Sequence, residues 1–355
     1  MNAPSPQPSN GVAGAVVLPA YRPQAELFRR QLESIRDQSV TDFTCIIGSD
    51  GDPAIQAMVE ESVGDDHRFR VTNHRENIGL YRNVERLLDE LPAETQWVAL
   101  SDQDDRWYPD KLERLIPHLN AASLVMGQAA VVDAEGRQCG APTRRRHVPV
   151  EQLVLENEVT GSLCLFRRDL LHLALPFPKL NAPTQMHDHW LGVCAAATGG
   201  YAVLDDRVQD YVQHVGNLIG ENLPQRRNPL RALREISAIA DEYEGGHSPA
   251  QCARACRSLS FGWRRAMVGA LMDRLEEPSS ELVALAECLD PDSGPGALFR
   301  LLRRVARSPH ATRRTLDQFL PGVPAELVAR VPRIPMGPGL GRRSTSDDHG
   351  ARRSM

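Results

Sequence analysis

Three carboxylates, Asp102, Asp104 and Asp105, fall within four residues directly behind the apolar run Trp97–Leu100. Carboxylates this close repel one another, and keeping them all ionised costs free energy. A cation held among them removes that cost. Hard cations such as Mg²⁺ and Mn²⁺ take oxygen ligands, and Mg²⁺ commonly shares one or two carboxylates with substrate phosphates. The block therefore suits the handling of a metal-bound diphosphate at the end of a strand. A helix start competes with that reading. Ser101 or Asp102 would cap it, and Asp104, Asp105 and Asp110 would sit in the favourable field of its N-terminus. The tripeptide Asp-Gln-Asp by itself does not separate the two.

The surrounding elements favour the first reading. Ala13–Pro19 reads as a buried strand, Gln24–Gln38 as an amphipathic helix with Leu27, Phe28, Leu32 and Ile35 on one face, and Phe43–Ile47 as a second strand. A helix over Ala54–Val63, a short strand over Phe69–Thr72, a helix over Leu80–Leu91 and a strand over Gln96–Leu100 follow. Strands alternating with helices of this length imply an α/β fold with a mostly parallel sheet flanked by helices. Ligands of such sheets bind beyond the carboxyl ends of the strands. Pro19, Tyr21, Asp50, Asn77 and Asp102–Asp104 all fall at or just behind such ends.

The next hundred residues are less regular. Strands are expected at Leu124–Val132, Thr160–Phe166 and Tyr201–Leu204, helices at Arg168–Leu173 and His187–Ala197, and a basic loop over 133–150. From about residue 225 the pattern is helical only. Helices are expected over Pro229–Tyr243, Pro249–Glu276, Ser280–Leu289 and Gly296–Arg307. Asn228-Pro229 and Ser248-Pro249 have the types of a helix cap and first turn.

With 355 residues and 41% hydrophobic content, the chain can bury one large α/β domain and a helical appendix. A net charge of −5 gives it no general affinity for nucleic acid. Residues 300–355 depart from that balance, with 12 Arg against 4 acids. That suits a solvated tail, or a surface for anionic lipid or an acidic partner. The seven cysteines are odd in number and never form a Cys-x-x-Cys pair, as expected of structural thiols in a reducing, cytoplasmic compartment. The stretch up to Gly14 is polar and rich in Pro and Ser, unlike a signal peptide. Without an apolar run of about 18 residues, no transmembrane helix is expected.

Taken in order, several motifs resemble the family 2 glycosyltransferases of GT-A fold, and most closely their rhamnosyltransferase-like branch. They are Leu18-Pro19-Ala20-Tyr21, Ser49-Asp50-Gly51, Asn77-Ile78-Gly79 with Asn83, and Ser101-Asp102-Gln103-Asp104-Asp105-Arg106-Trp107 with Asp110-Lys111-Leu112. Thr160-Gly161-Ser162, His187-Asp188-His189-Trp190 and Tyr211-Val212-Gln213-His214 with Asn217 and Gly220 continue the likeness over roughly residues 13–222. Ser49 stands where the family often has a second Asp, and Val212 where it has Arg. The absence of a Gln-x-x-Arg-Trp motif argues against a processive synthase.

The resemblance implies a domain over 13–222, with a nucleotide-sugar half (13–120) and an acceptor half (121–222). A disordered N-terminus (1–12), a helical region (223–333) and a disordered tail (334–355) would flank it. It implies inverting transfer of one sugar, rhamnose or another hexose, from a nucleoside-diphosphate sugar to a saccharide or lipid-linked acceptor in surface polysaccharide assembly. The departing diphosphate gains charge and needs a cation against it; the acceptor hydroxyl needs a base. Asp104 is the expected ligand of Mg²⁺ or Mn²⁺, with His214 reaching the metal or diphosphate, although a buried structural His fits that position almost as well. Pro19, Tyr21, Asp50, Asn77, Gly79, Asp102 and Gln103 would line the nucleotide-sugar site. For Asp50, a turn-forming Asp-Gly is the competing account. Asp188 is the expected general base, with a helix-dipole partner as the plainer alternative, and His187 and Trp190 would shape the acceptor pocket. The C-terminal helices would shape that pocket, form a homodimer or rest on the inner face of the membrane. Two other classes stay open: a sugar-nucleotide nucleotidyltransferase, which would want a Gly-rich loop after the first strand, and a non-catalytic nucleotide-sugar-binding scaffold.

Overall fold

The computed structural model describes residues 14–214 and 229–331, with side chains from 232 onward in the second stretch. The expectations for 1–12, Asn217, Gly220, Asn228 and 334–355 lie outside the described residues.

Gly14–Ala20 forms β1, and all seven of its residues are buried, as a strand covered on both faces must be. Helix α1 (Ala25–Arg36), β2 (Phe43–Asp50), α2 (Ala54–Val63), β3 (Phe69–His74), α3 (Leu80–Asp89) and β4 (Trp97–Leu100) follow. The chain continues through β5 (Arg106–Trp107), α4 (Lys111–Leu115), β6 (Leu124–Val132), α5 (Val150–Leu155), β7 (Cys164–Arg167), α6 (Leu171–Ala174), α7 (His187–Ala197) and β8 (Tyr201–Val212). The eight strands form one sheet in the order β3-β2-β1-β4-β7-β6-β8-β5. In-register parallel pairing aligns Ala20 with Ser49 and Asp50 with His74, while Ser101 N donates to Val17 O at 3.0 Å. One sheet edge thus collects Tyr21, Asp50, Asn77 and the Asp102–Asp105 block.

The sheet is mixed: β7 runs antiparallel to β4 and β6, and β5 antiparallel to β8. Apolar runs reveal that strands exist, not which way they point. The strand expected to end at Leu204 runs on to Val212, because its middle, Asp205-Asp206-Arg207, is exposed where β6 and β8 slip register. The strand expected from Thr160 opens instead as a 3₁₀ turn over Gly161–Leu163.

Helices α8 (Pro229–Glu244), α9 (Pro249–Arg257), α10 (Trp263–Arg274), α11 (Ser280–Leu289), α12 (Gly294–Arg307), α13 (Arg313–Phe319) and α14 (Val323–Arg330) complete the described chain. The helix expected over Pro249–Glu276 is α9 and α10 joined through a π-helical turn, Ser258–Gly262. Ser248 caps α9 through a reciprocal bond with Gln251. Phe261, Trp263, Met267, Leu271, Leu285 and Leu301 belong to the same buried cluster as the residues of the central sheet. No helix among the described residues is long and apolar enough to cross a membrane.

Candidate active site

The sheet edge beyond the carboxyl ends of β1, β2 and β4 is held by side chains that grip loops. Both oxygens of the buried Asp50 carboxylate accept backbone N–H bonds, from Ile78 at 2.7 Å and Gly79 at 2.9 Å. Asp50 therefore shapes the Asn77–Gly79 loop, and it also lines the cleft. Gly51 adopts φ +79°, and a Cβ there would lie 2.9 Å from Asn77 N, so the turn and the close approach both require glycine. Gln103 fixes the other side, accepting from Tyr21 N at 2.9 Å and donating to Tyr21 O at 3.3 Å. It leaves Tyr21 40% exposed at the cleft. Arg22, beside it, is a non-glycine residue at φ +42° on the cleft wall, a strained conformation that sequence patterning does not reveal.

Asp104 and His214 are 110 positions apart, yet Asp104 Oδ2 lies 2.8 Å from His214 Nε2 on the cleft wall. Among the described residues no group of three or more His, Cys, Asp or Glu side chains is arranged to hold a metal. One carboxylate and one imidazole are still a suitable protein share for a divalent ion whose remaining positions go to water and diphosphate oxygens.

Asp105 points the other way. It is buried, and its oxygens accept from Gln209 Nε2 at 2.7 Å and Val212 N at 3.1 Å. Gln209 Oε1 in turn accepts from the fully buried Lys111 at 2.7 Å, whose ammonium lies 3.7 Å from the centre of the Trp107 ring. This chain anchors the end of β8 behind the acidic block and so delivers His214 to Asp104. Burial, and then the charges of Asp102 and Asp104, push the Asp105 carboxyl well up. Burial first, and then the charge of Asp104, push Asp102 up to about 7. Burial pulls the Lys111 ammonium down to about 7.

Asp188 stands in the first turn of α7, where the helix N-terminus favours a negative charge. Asn157 Nδ2 donates to its Oδ1 at 3.2 Å, and Gly161 N to its Oδ2 at 3.3 Å. Gly161 permits this approach, since a Cβ there would lie 2.9 Å from His187 Nε2. His187 is buried but borders the cleft, and burial lowers its pKa. His189 is locked between Leu153 O at 2.6 Å and Trp263 Nε1 at 3.3 Å, which leaves its ring neutral with Nε2 protonated.

Trp190 does not reach the site. Its ring is fully buried and Nε1 donates to Ala174 O at 2.8 Å, so the expected acceptor-pocket aromatic is a core residue. The indole on the cleft wall is Trp263 of α10, which apolar spacing alone marks as core. Trp107 is likewise buried, beneath Lys111.

These groups share one cleft with an open volume of about 1390 Å³. Pro19, Tyr21, Asp50, Asn77, Gly79 and Asp102–Asp104 line one part, and Asn157, Thr160, His187 and Asp188 another. Helical residues Leu259, Trp263, Arg264, Arg314 and Gln318 supply a further wall. In the basic loop over 133–150, three consecutive arginines, Arg144, Arg145 and Arg146, divide: Arg145 lines the cleft and Arg146 pairs with Glu158.

Residues 15–173 match the family model described as glycosyl transferase family 2. That stretch, a little under half of the chain, is similar to the family 2 glycosyltransferases. A curated relative, the succinoglycan biosynthesis protein ExoW of Rhizobium meliloti, is 34% identical over 100 residues, which are 27% of this chain and 31% of that protein. The matched stretch thus spans about a third of that relative's length. Among solved structures, residues 1–349 of S. aureus TarS align with this chain at 13% identity and a TM-score of 0.49, covering 89% of each chain. The mannosyltransferase PcManGT of Pyrobaculum calidifontis, solved with GDP-Man and Mn²⁺, aligns at 16% identity and a TM-score of 0.43, covering 92% of this chain and 88% of that one.

Proposed function

We propose that the protein moves a single sugar, with inversion, from a nucleoside-diphosphate sugar to a hydroxyl of a saccharide or lipid-linked acceptor in surface polysaccharide assembly. Rhamnose is the first donor to test, followed by other hexoses. The observation that carries this reading is one cleft with the Asp104–His214 pair on its wall and a hydrogen-bonded carboxylate, Asp188, elsewhere on the same wall. Asp104 and His214 would hold Mg²⁺ or Mn²⁺, which when bound supplies positive charge against the departing diphosphate. Tyr21, Asn77 and Gly79 would border the nucleoside, Asp50 and Gln103 fixing the loops that present them. Asp102 beside the pair would meet the ribose or assist the metal.

Asp188 would take the proton from the acceptor hydroxyl as its oxygen bonds to the anomeric carbon and the bond from that carbon to the diphosphate breaks. A carboxylate has about four lone-pair sites. Asn157, Gly161 N and the neighbouring His189 N, at 2.6 Å, take three, which fixes the rotamer and leaves room for one hydroxyl. His187 would border that acceptor.

A thermal-shift panel of UDP-, GDP- and dTDP-sugars, each with Mn²⁺, Mg²⁺ or EDTA, tests the donor half. A ligand at a hundred times its Kd adds about 2.7 kcal/mol. One nucleotide should stabilise the wild type only with metal, and Asp104→Ala should abolish the effect. A flat panel under every metal would sink the donor-site assignment.

A further inference from the structure

Helix α12 carries a feature that sugar transfer does not use. Its sequence, Gly294-Pro-Gly-Ala-Leu-Phe-Arg-Leu-Leu-Arg-Arg-Val-Ala-Arg307, contains four arginines and no acid. At 100° per residue, Ala297, Leu298, Leu301 and Val305 form one stripe, and all four are buried. Phe299, Arg300, Arg303 and Arg307 fall within an arc of about 100° on the opposite face, and all four are exposed. Phe299 is 60% exposed. Among the described residues none of these three arginines has a hydrogen bond or ion pair to a carboxylate. Other arginines of the helical region do: Arg257, Arg265 and Arg330 all converge on Glu326, and Arg254 pairs with Glu244.

We propose that this face of α12 docks the protein on an anionic phospholipid surface. The apolar stripe of α12 is already spent on the core, so the helix does not sink into lipid. Instead Arg300, Arg303 and Arg307 meet the headgroup charge while the Phe299 ring enters the acyl boundary. Charge complementarity selects the partner: the whole chain is at −5, so attraction to an anionic surface has to be local, and it is concentrated here. A lone exposed phenyl ring among arginines fits a bilayer interface better than a nucleic-acid backbone, which offers the ring nothing to enter. The face also lies close to the cleft in the chain. Just beyond α12, Ser308 bonds Gln152 at 3.0 Å and Thr312 bonds Glu156 at 2.8 Å, next to Asn157, which holds Asp188. Docking through α12 would bring that wall towards the membrane. The inference stands whether or not the transfer chemistry does.

The experiment is co-sedimentation of the full chain with vesicles of phosphatidylcholine, with and without phosphatidylglycerol. Binding should require phosphatidylglycerol and weaken in high salt. The triple variant R300A/R303A/R307A should partition about 100-fold less, at roughly a factor of five per arginine. Binding of the triple variant equal to wild type, or no binding of wild type to phosphatidylglycerol vesicles, overturns the proposal. Phe299→Trp gives a reading that survives any loss of fold in the triple variant. The four native tryptophans are all at most 5% exposed, so the introduced indole is the exposed reporter. Brominated phosphatidylglycerol should quench its fluorescence; emission of the Phe299→Trp variant that vesicles leave unchanged counts equally against the docking face.

Discussion

Asp188 and Lys111 are both charged groups held by hydrogen bonds, yet they are expected to fail differently when changed. Asp188 borders the cleft, and its proposed work is to accept one proton. Asp188→Asn keeps the shape and most of the hydrogen bonding, so donor binding and folding should persist. A general base contributes about 10²- to 10⁴-fold, and kcat should fall by that much in a transfer assay. Unchanged turnover would remove Asp188 from the chemistry. Lys111 is fully buried behind the acidic block and touches no open volume. Lys111→Met leaves Gln209 Oε1 and Ser162 O without their donor and Asp105 without its nearby cation. Breaking a buried charge network of this kind costs about 3 kcal/mol or more. Urea unfolding should show that loss, and the Mn²⁺-dependent nucleotide shift should weaken as His214 loses its placement.

At the scale of elements, α7 shows how position is transmitted. Its first turn is clamped by α5 through Leu153 O, by α10 through Trp263, and by the 3₁₀ turn at Gly161. The clamp needs a neutral His189, whose pKa burial lowers from 6.5 to about 4. Below 6.5 the unfolded chain takes up a proton that the folded one refuses. The stability His189 contributes is therefore present above 6.5 and lost as pH falls towards 4. Asp102 acts in the opposite sense: its raised folded pKa makes its contribution fall as pH rises from 3.8 to about 7. The wild-type curve mixes both slopes. Subtracting the curve of His189→Asn isolates the first, and that difference should shrink steadily between pH 6.5 and 4. A difference flat across the window would mean that His189 is not held neutral.

At the scale of the whole molecule, the sheet and the C-terminal helices share one buried cluster, so the division expected near residue 222 is not a division of the core. Glu156, at the end of α5, accepts from Thr312 of the helical region, and Arg264 of α10 donates to Leu155 O at 2.9 Å. Calorimetry should accordingly give one cooperative transition with matching calorimetric and van't Hoff enthalpies. A chain ending at His214 should aggregate, because it bares the sheet-side surface that Phe261, Trp263 and Met267 cover. Two separated transitions, or a soluble folded 1–214 fragment, would contradict a shared core.

The sequence by itself determined the α/β alternation, the strands that lead to Tyr21, the Ser49-Asp50-Gly51 turn and Ser101, and the acidic block, because these are local patterns of burial and charge. A run that must be buried is apolar, and a loop that must present carboxylates spells them out. The motifs also carried the resemblance to family 2 glycosyltransferases, and with it the GT-A-type expectation for the sheet. Tertiary structure alone decided which side chains meet. Nothing local tells that His214 lies against Asp104, that Asp105 turns inward to Val212 N, or that Trp263 rather than Trp190 faces the cleft. In α7 nearly every residue from His187 to Ala195 is buried, so no amphipathic stripe marks which ring points at a ligand and which at the core. Strand direction, the extension of β8 and the cleft wall supplied by α10 and α13 are likewise set by long-range packing, to which composition and periodicity are blind.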